Sequence, residues 1–156
     1  MGFDPGLNRT GFGVIDASAK NPRYVASGII DNPKTSTKDT HKLLAHLGQQ
    51  MEQIIHKYNP QYCAVEQIFR GPYIKSNFTL AMARGVILSA IGKVGVELHN
   101  YTPTEVKKMI AGNGRASKEE VSIMMKRHLG LTGIISEDAS DALAVCLCLF
   151  YYLQAA

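Results

Sequence analysis

The hydrophobic residues along this chain follow different spacings, and each spacing predicts a different element. Between Lys38 and Tyr58 they recur every three or four positions, which predicts a long amphipathic helix. The segment "YCAVEQIF" is short, mostly apolar and rich in β-forming residues, which is typical of an inner strand. The opening "GFDPGLNRTGFGVID" alternates on either side of an Asp-Pro-Gly turn, and we therefore predict a β-hairpin there.

The remaining segments complete an α/β pattern. "RYVASGII" and "GVELHNY" predict two more strands, and helices are expected at about 77–94 and 104–111, before Gly130, and from about Ser136. Ser117 followed by Glu120 forms a capping-box pattern at the start of the helix that ends near Gly130. This order predicts an α/β fold in which a mixed five-stranded sheet is flanked by helices.

Length and composition favour one ordinary globular domain spanning residues 1–156. The longest apolar runs fall short of the roughly 20 residues that cross a bilayer, and no secretory signal opens the chain, so we expect a cytoplasmic protein that does not contact the membrane. The three cysteines lie in apolar runs, and we expect them to be buried as small hydrophobic side chains. The net charge of +4 is modest and does not by itself indicate a function or a binding partner.

Four acids occupy positions where such a fold could bring them together: Asp4, Glu66, Asp138 and Asp141. Each also has a simpler explanation. Asp-Pro-Gly is a common turn, and acids in the first turn of a helix favour its positive end. Glu66 is harder to explain, because a carboxylate inside an apolar strand is costly to bury without a partner, although a solvent-facing edge strand would accept it. Glu137 lies four residues before Asp141, so spacing alone does not choose between Glu137 and Asp138.

If the four acids converge, they repel one another and need protons or a divalent cation in order to coexist. Oxygen ligands without histidine or cysteine select hard ions such as Mg²⁺ or Mn²⁺. Two such ions about 4 Å apart can activate water and stabilise the leaving oxygen of a phosphodiester. With the acids in one pocket, the rest of the surface carries excess positive charge, which would attract an anionic partner.

Four segments, in order and along nearly the whole chain, resemble the RuvC family of bacterial Holliday-junction resolvases: "GFDPGLNRTGFGVID", "AVEQIF" with "ARGVI", "TPTEVKKMIAGNGRASKEEV" and "DASDALAV". The resemblance implies an RNase H-like fold and a homodimer that binds a four-way DNA junction. It implies symmetric, Mg²⁺-dependent hydrolysis of two opposing strands during recombination and repair, with two ions per site and Mn²⁺ as a substitute. The RuvA–RuvB branch-migration complex is the expected working partner.

By the same resemblance, the metal-binding acids fall on Asp4, Glu66, Asp138 and Asp141, and Glu137 becomes a bystander or, at most, a residue that supports the site without binding the metal. Lys118 is implied as a catalytic residue that holds the scissile phosphate or orients the attacking water. Phe69 matches an aromatic that stacks on unpaired bases at the junction centre, although it could equally pack within the fold. The other expected DNA contacts, any of which could instead be a solvated surface cation, are Arg70, Lys75, Arg84, Lys107, Lys108 and Arg115, together with Lys118.

The helix "FTLAMARGVILSAIGKV" carries more small and apolar residues than one buried face requires, and the resemblance implies dimerisation through it. One departure is that only three residues precede Asp4, where family members usually have a longer apolar strand. Three other functions remain open: an actin-like or sugar-kinase-like ATPase, a non-catalytic junction-binding relative, and another RNase H-like nuclease acting on RNA or DNA ends. An ATPase of that kind would need two lobes, and this chain has the length of one.

Overall fold

Strands from both halves of the chain form one mixed sheet. The computed structural model describes residues 1–33, 39–68 and 74–156. Its strands are β1 (Gly2–Asp4), β2 (Arg9–Asp16), β3 (Arg23–Asp31), β4 (Tyr62–Glu66) and β5 (Glu97–Tyr101). Its helices are α1 (Thr40–Tyr58), α2 (Ile74–Val94), α3 (Pro103–Ala111), α4 (Lys118–Leu129) and α5 (Glu137–Ala155).

The strand order in the sheet is β3-β2-β1-β4-β5. β1, β2 and β3 pair antiparallel, whereas β1 with β4 and β4 with β5 pair parallel. The parallel strands all end at the same edge of the sheet. Residues at the ends of β1 and β4 are therefore neighbours in space although sixty residues separate them in the sequence.

Helices cover both faces of the sheet, and each face has its own hydrophobic core. On one face, α1 and α2 pack on Phe3 and Val65 through buried residues such as Leu47 and Ile87. On the other face, α3, α4 and α5 share a core that contains Ala64 and Leu147. The uncharged stretch of α5, residues 142–150, is buried throughout, which explains why it lacks the usual polar stripe.

The structure confirms the predicted hairpin, the five-stranded mixed sheet and the capping box, in which Ser117 and Glu120 each bond the other's backbone N–H. All three cysteines are free and buried, as expected. The buried face of α1 is formed by Leu43, Leu47, Met51 and Ile55, at four-residue steps that agree with the predicted three-to-four spacing. No helix of the described segments is long and apolar enough to span a membrane.

Candidate active site

The side-chain alternation of two parallel strands brings Asp4 and Glu66 together. Phe3 pairs in register with Val65, and both side chains are buried in the core under α1 and α2. Because successive side chains of a strand point to opposite faces, Asp4 and Glu66, the next residue of each strand, point towards α3, α4 and α5. Asp4 and Glu66 are thus adjacent at one edge of the sheet, which agrees with the convergence expected from the sequence.

Glycines in the first two strands allow α5 to approach the sheet closely. A Cβ atom on Gly11 would overlap the carbonyl oxygen of Asp138, and one on Gly2 would lie 2.5 Å from the carbonyl oxygen of Ala142. Gly11 is the register partner of Asp4, so the first turns of α5 lie directly over the end of β1. This close packing places Asp141 beside Asp4 and Glu66.

The three acids Asp4, Glu66 and Asp141 line one cavity of about 250 Å³, together with the basic residues Lys107 and Lys118. The cavity walls are apolar and come from α3, α4 and α5. They are formed by Pro103, Val106, Val121 and Ala144. A larger cavity of about 550 Å³ lies beside Met1, Tyr62 and the end of α5, and its lining contains none of the residues predicted to form a site.

Burial and mutual repulsion disfavour the charged forms of these carboxyl groups. Burial, followed by the charges of Glu66 and Asp141, raises the pKa of Asp4 to about 8. Burial is also the main reason why the pKa values of Glu66 and Asp141 lie above their ordinary range. The Asp4 and Glu66 carboxyl groups share a hydrogen bond, which stabilises the protonated form of Asp4 and the charged form of Glu66. A hydrogen bond between two carboxyl groups requires a proton on one of them, and these directions favour Asp4 as the protonated partner.

Lys118 approaches the cavity from the first residue of α4. Its Nζ lies 2.5 Å from Oε1 of Glu137 and 3.4 Å from Oδ2 of Asp141. The hydrogen bond to Glu137 is the main cause that raises the pKa of Lys118, and it lowers the pKa of Glu137. Lys118 is thus a firmly charged ammonium group at the rim of the acidic cavity.

The chain matches the family model "Crossover junction endodeoxyribonuclease RuvC" over residues 1–149. The chain belongs to the RuvC family. A RuvC of Bordetella parapertussis is 39% identical over 149 residues, which cover 95% of this chain and 80% of that relative. A RuvC of Hydrogenovibrio crunogenus is 39% identical over 153 residues, which cover 98% of this chain and 87% of that relative.

The fold agrees with this assignment. The structure of Thermus thermophilus RuvC in complex with a Holliday junction substrate matches with a TM-score of 0.88 and 28% identity, covering 99% of this chain and 94% of that chain. The yeast mitochondrial Holliday junction resolvase Ydc2 matches with a TM-score of 0.70 at 13% identity, covering 98% and 78% of the two chains, and so supports the fold alone. The RNase H-like fold expected from the sequence is confirmed.

Asp138 stands apart from the three acids that line the cavity. It lies one turn before Asp141 on α5, and its Oδ2 is 3.4 Å from Nε of Arg9 at the start of β2. Its negative charge still contributes to the raised pKa values of Asp4 and Asp141. Within residues 1–33, 39–68 and 74–156, no three His, Cys, Asp or Glu side chains are grouped closely enough to hold a metal ion. Asp138 and Asp141 instead face the cations Arg9 and Lys118.

The residues predicted to contact DNA differ in how exposed they are and in which residues they contact. Lys75, Lys108 and Arg115 are exposed, and Lys107 is partly buried in the cavity wall. The Arg84 guanidinium donates through Nε to the carbonyl oxygen of Glu66 at 3.3 Å and through Nη2 to Oδ1 of Asn100 at 2.5 Å. Arg84 thereby ties α2 to the ends of β4 and β5. Phe69 and Arg70 lie outside the described residues.

Two residues contact the predicted site without having been assigned to it from the sequence: Arg9, which was not considered, and Glu137, which was considered and set aside. Arg9 carries no recognisable signal beyond a positive charge after the Asp-Pro-Gly turn. Glu137 had a signal, its position four residues before Asp141, but the resemblance assigned it no role. The contact with Lys118 depends on α4, which no spacing within α5 could reveal.

Proposed function

We propose that this chain cleaves four-way DNA junctions by hydrolysing one phosphodiester bond in each of two opposing strands. The observation that carries this proposal is the convergence of acids from three separate segments on one cavity, with a lysine at its rim. Membership of a family of crossover junction endodeoxyribonucleases supports the substrate. The similar Thermus thermophilus RuvC is bound to a Holliday junction substrate in its structure, which also supports it.

The donor chemistry of the four acids fits a hard divalent cation, although the described side chains are not grouped closely enough to hold one in this arrangement. Asp4, Glu66, Asp138 and Asp141 supply oxygen atoms only, which favours Mg²⁺, with Mn²⁺ as a substitute. A cation bound by Asp4 and Glu66 would replace the proton on Asp4 and would reduce the repulsion between the two groups, so that both carboxylates could be charged. We propose that the four acids hold two such ions. When bound, these ions supply the activation of water and the stabilisation of the leaving oxygen.

The basic residues of the site suit a role with the DNA strand. Hydrolysis adds water across one P–O bond, so negative charge accumulates on the phosphate oxygens as the bond to the sugar oxygen breaks. Lys118 keeps its charge next to the carboxylates and is exposed to the solvent side. We therefore assign Lys118 to the scissile phosphate and Lys107 to the same strand. Lys75, Lys108 and Arg115 are assigned to phosphates farther along the arms, and Phe69 to stacking at the junction centre.

A homodimer would give the two equivalent sites that two symmetric cuts require. Helix α2 supports this proposal, because Phe78 is 66% exposed and Met82 is 40% exposed on its outer surface. A Cβ on Gly85 would meet no atom within 4 Å, which leaves room for a second helix to pack closely. We propose that two copies pair through α2. We further propose that the protein acts in the cytoplasm and that the RuvA–RuvB branch-migration complex is its partner.

Cleavage of labelled synthetic junctions tests the proposal. The chain should cut a four-way junction with Mg²⁺, leave the matching linear duplex intact and stop when EDTA is added. Asp4→Asn, Glu66→Gln, Asp138→Asn and Asp141→Asn should each abolish cutting while junction binding in a gel-shift assay persists. Asp16→Asn, at the exposed end of β2, is the matched control and should cut normally.

Other outcomes would assign the chain differently. Equal cutting of the duplex and the junction, or cutting of RNA, would indicate a related nuclease with another substrate. Binding of the junction without any cutting would indicate a non-catalytic relative. Loss of binding in all four acid variants would give these residues a structural role.

A further inference from the structure

Glu137 contacts the active site through one residue, Lys118. Both residues are the first of their helices, and a 2.5 Å hydrogen bond joins their side chains across the gap between α4 and α5. Glu137 is 69% exposed and does not line the cavity, so it is poorly placed to bind a buried metal ion. Its contact with the site is the hydrogen bond to the Lys118 ammonium group.

The geometry of α5 gives Lys118 two carboxylate partners. Glu137 and Asp141 are four residues apart and share one face of the helix, so both carboxylates reach the same ammonium group. An ammonium group has three N–H donors. With two of them directed at the carboxylates, one donor remains that could bind a phosphate oxygen.

Glu137 becomes more important if Asp141 binds a metal ion, which is the part of this inference that rests on the proposed function. A cation on Asp141 cancels much of its attraction for Lys118 and adds repulsion. Glu137 is then the remaining anion that the described residues place on Lys118. Lysine has a flexible four-carbon stem, so without a fixed partner its charge spreads over many rotamers.

We propose that Glu137 is a positioning residue that holds the Lys118 ammonium group against the scissile phosphate. Its effect on cutting passes through Lys118, because its direct charge repulsion of Asp141 is smaller than the effect of Lys118 on that residue. The competing explanation is that Glu137 merely stabilises the N-terminus of α5, where Ser136 makes no side-chain capping bond. The two explanations differ in one measurable respect, because stabilisation of the helix end does not depend on Lys118.

A double-mutant cycle on the single-turnover cutting rate separates them. At saturating enzyme with Mg²⁺, Glu137→Gln should slow cutting by about two- to fivefold, the scale of one exposed ion pair, with junction affinity changed less than about twofold. In a Lys118→Ala background, Glu137→Gln should change the rate by less than about 1.5-fold, because only its weak charge repulsion of Asp141 remains. Glu119→Gln, which removes an acid from the first turn of α4, is the matched control and should cut at the wild-type rate.

The outcomes also distinguish this inference from the proposed function. If the wild-type chain cuts junctions and Lys118→Ala is slow, but Glu137→Gln cuts at the full rate, the positioning role is wrong and the function stands. A loss that persists in the Lys118→Ala background also overturns the positioning role. If the wild-type chain does not cut, the proposed function itself fails. Melting curves followed by circular dichroism show whether each variant is folded.

Discussion

Replacing Asp4 with Asn should stabilise the metal-free protein, although it removes a residue proposed to be essential for cutting. Asn has nearly the same shape as Asp and keeps an N–H donor for the bond that protonated Asp4 donates to Glu66. It never acquires the charge that burial and the neighbouring acids disfavour. The variant therefore removes the electrostatic cost of the site while keeping its packing.

The magnitude follows from the raised pKa. An acid whose pKa is higher in the folded state than in the unfolded state contributes stability at low pH and loses that contribution as the pH rises. With the pKa of Asp4 near 8 in the folded chain and an ordinary value of 3.8 in the unfolded chain, the loss at pH 7 amounts to about 4 kcal/mol. Because Glu66 and Asp141 titrate with Asp4, we expect about 2–4 kcal/mol.

Urea unfolding in EDTA, followed by circular dichroism between pH 4 and pH 9, measures this difference. The free energies of unfolding of the wild type and Asp4→Asn should nearly coincide at pH 4, diverge as the pH rises towards 8, and run parallel above it. The matched control is Asp16→Asn. The backbone N–H of Ser18 and the side chain of Arg23 hold the pKa of Asp16 at about 2, so this change should lower stability.

Divalent metal supplies the complementary measurement. Mg²⁺ or Mn²⁺ should raise the melting temperature of the wild type at pH 8 by several degrees and that of Asp4→Asn much less, because binding to the folded state alone stabilises it. If Asp4→Asn is less stable than the wild type at pH 8 in EDTA, the carboxyl group is not under electrostatic strain. The same result would remove the main physical support for a metal site here.

Three further predictions concern the surroundings of the site. Gly11→Ala should lower the free energy of unfolding by about 1–3 kcal/mol and stop cutting, because its methyl group overlaps the Asp138 carbonyl; wild-type stability in urea would contradict this. If two copies pair through α2 as proposed, Phe78→Glu should convert dimers into monomers in light scattering, while Tyr24→Glu, at an exposed aromatic on β3, should not. Arg9→Gln should lower the metal concentration needed for half-maximal cutting about two- to threefold, because a cation that competes for Asp138 is removed; an unchanged metal titration would refute it.

The sequence predicted the elements well because their signals are local. The three-to-four spacing of α1, the capping box at Ser117 and the uncharged run of α5 each lie within one segment and need no information from elsewhere. Asp4 could be placed at the end of a strand and Glu66 in an inner strand for the same reason. Their adjacency could not be predicted from pattern, because it depends on the parallel register of β1 and β4.

The parts of the site that escaped prediction all depend on contacts between distant segments. Spacing left Glu137 and Asp138 equivalent, since both share a face with Asp141. The structure distinguishes them by what lies opposite: Lys118 of α4 faces Glu137, and Arg9 of β2 faces Asp138. The role of Gly11 was equally hidden, because a glycine in a strand does not reveal which helix approaches it. The family resemblance supplied residue roles that local physics could not.

The buried run of α5 explains how the chain tolerates a cluster of acids at the N-terminus of that helix. Fully burying a leucine or phenylalanine side chain contributes about 1.5–3 kcal/mol, so Leu147 and Phe150 together are comparable with the cost of about 2–4 kcal/mol for Asp4 at neutral pH. Because these side chains lie two or three turns beyond Asp141 on a continuous helix, they fix its position even while the carboxyl groups repel one another. A less apolar α5 would let the first turns move away from the sheet, and the acids would separate before any cation could bind.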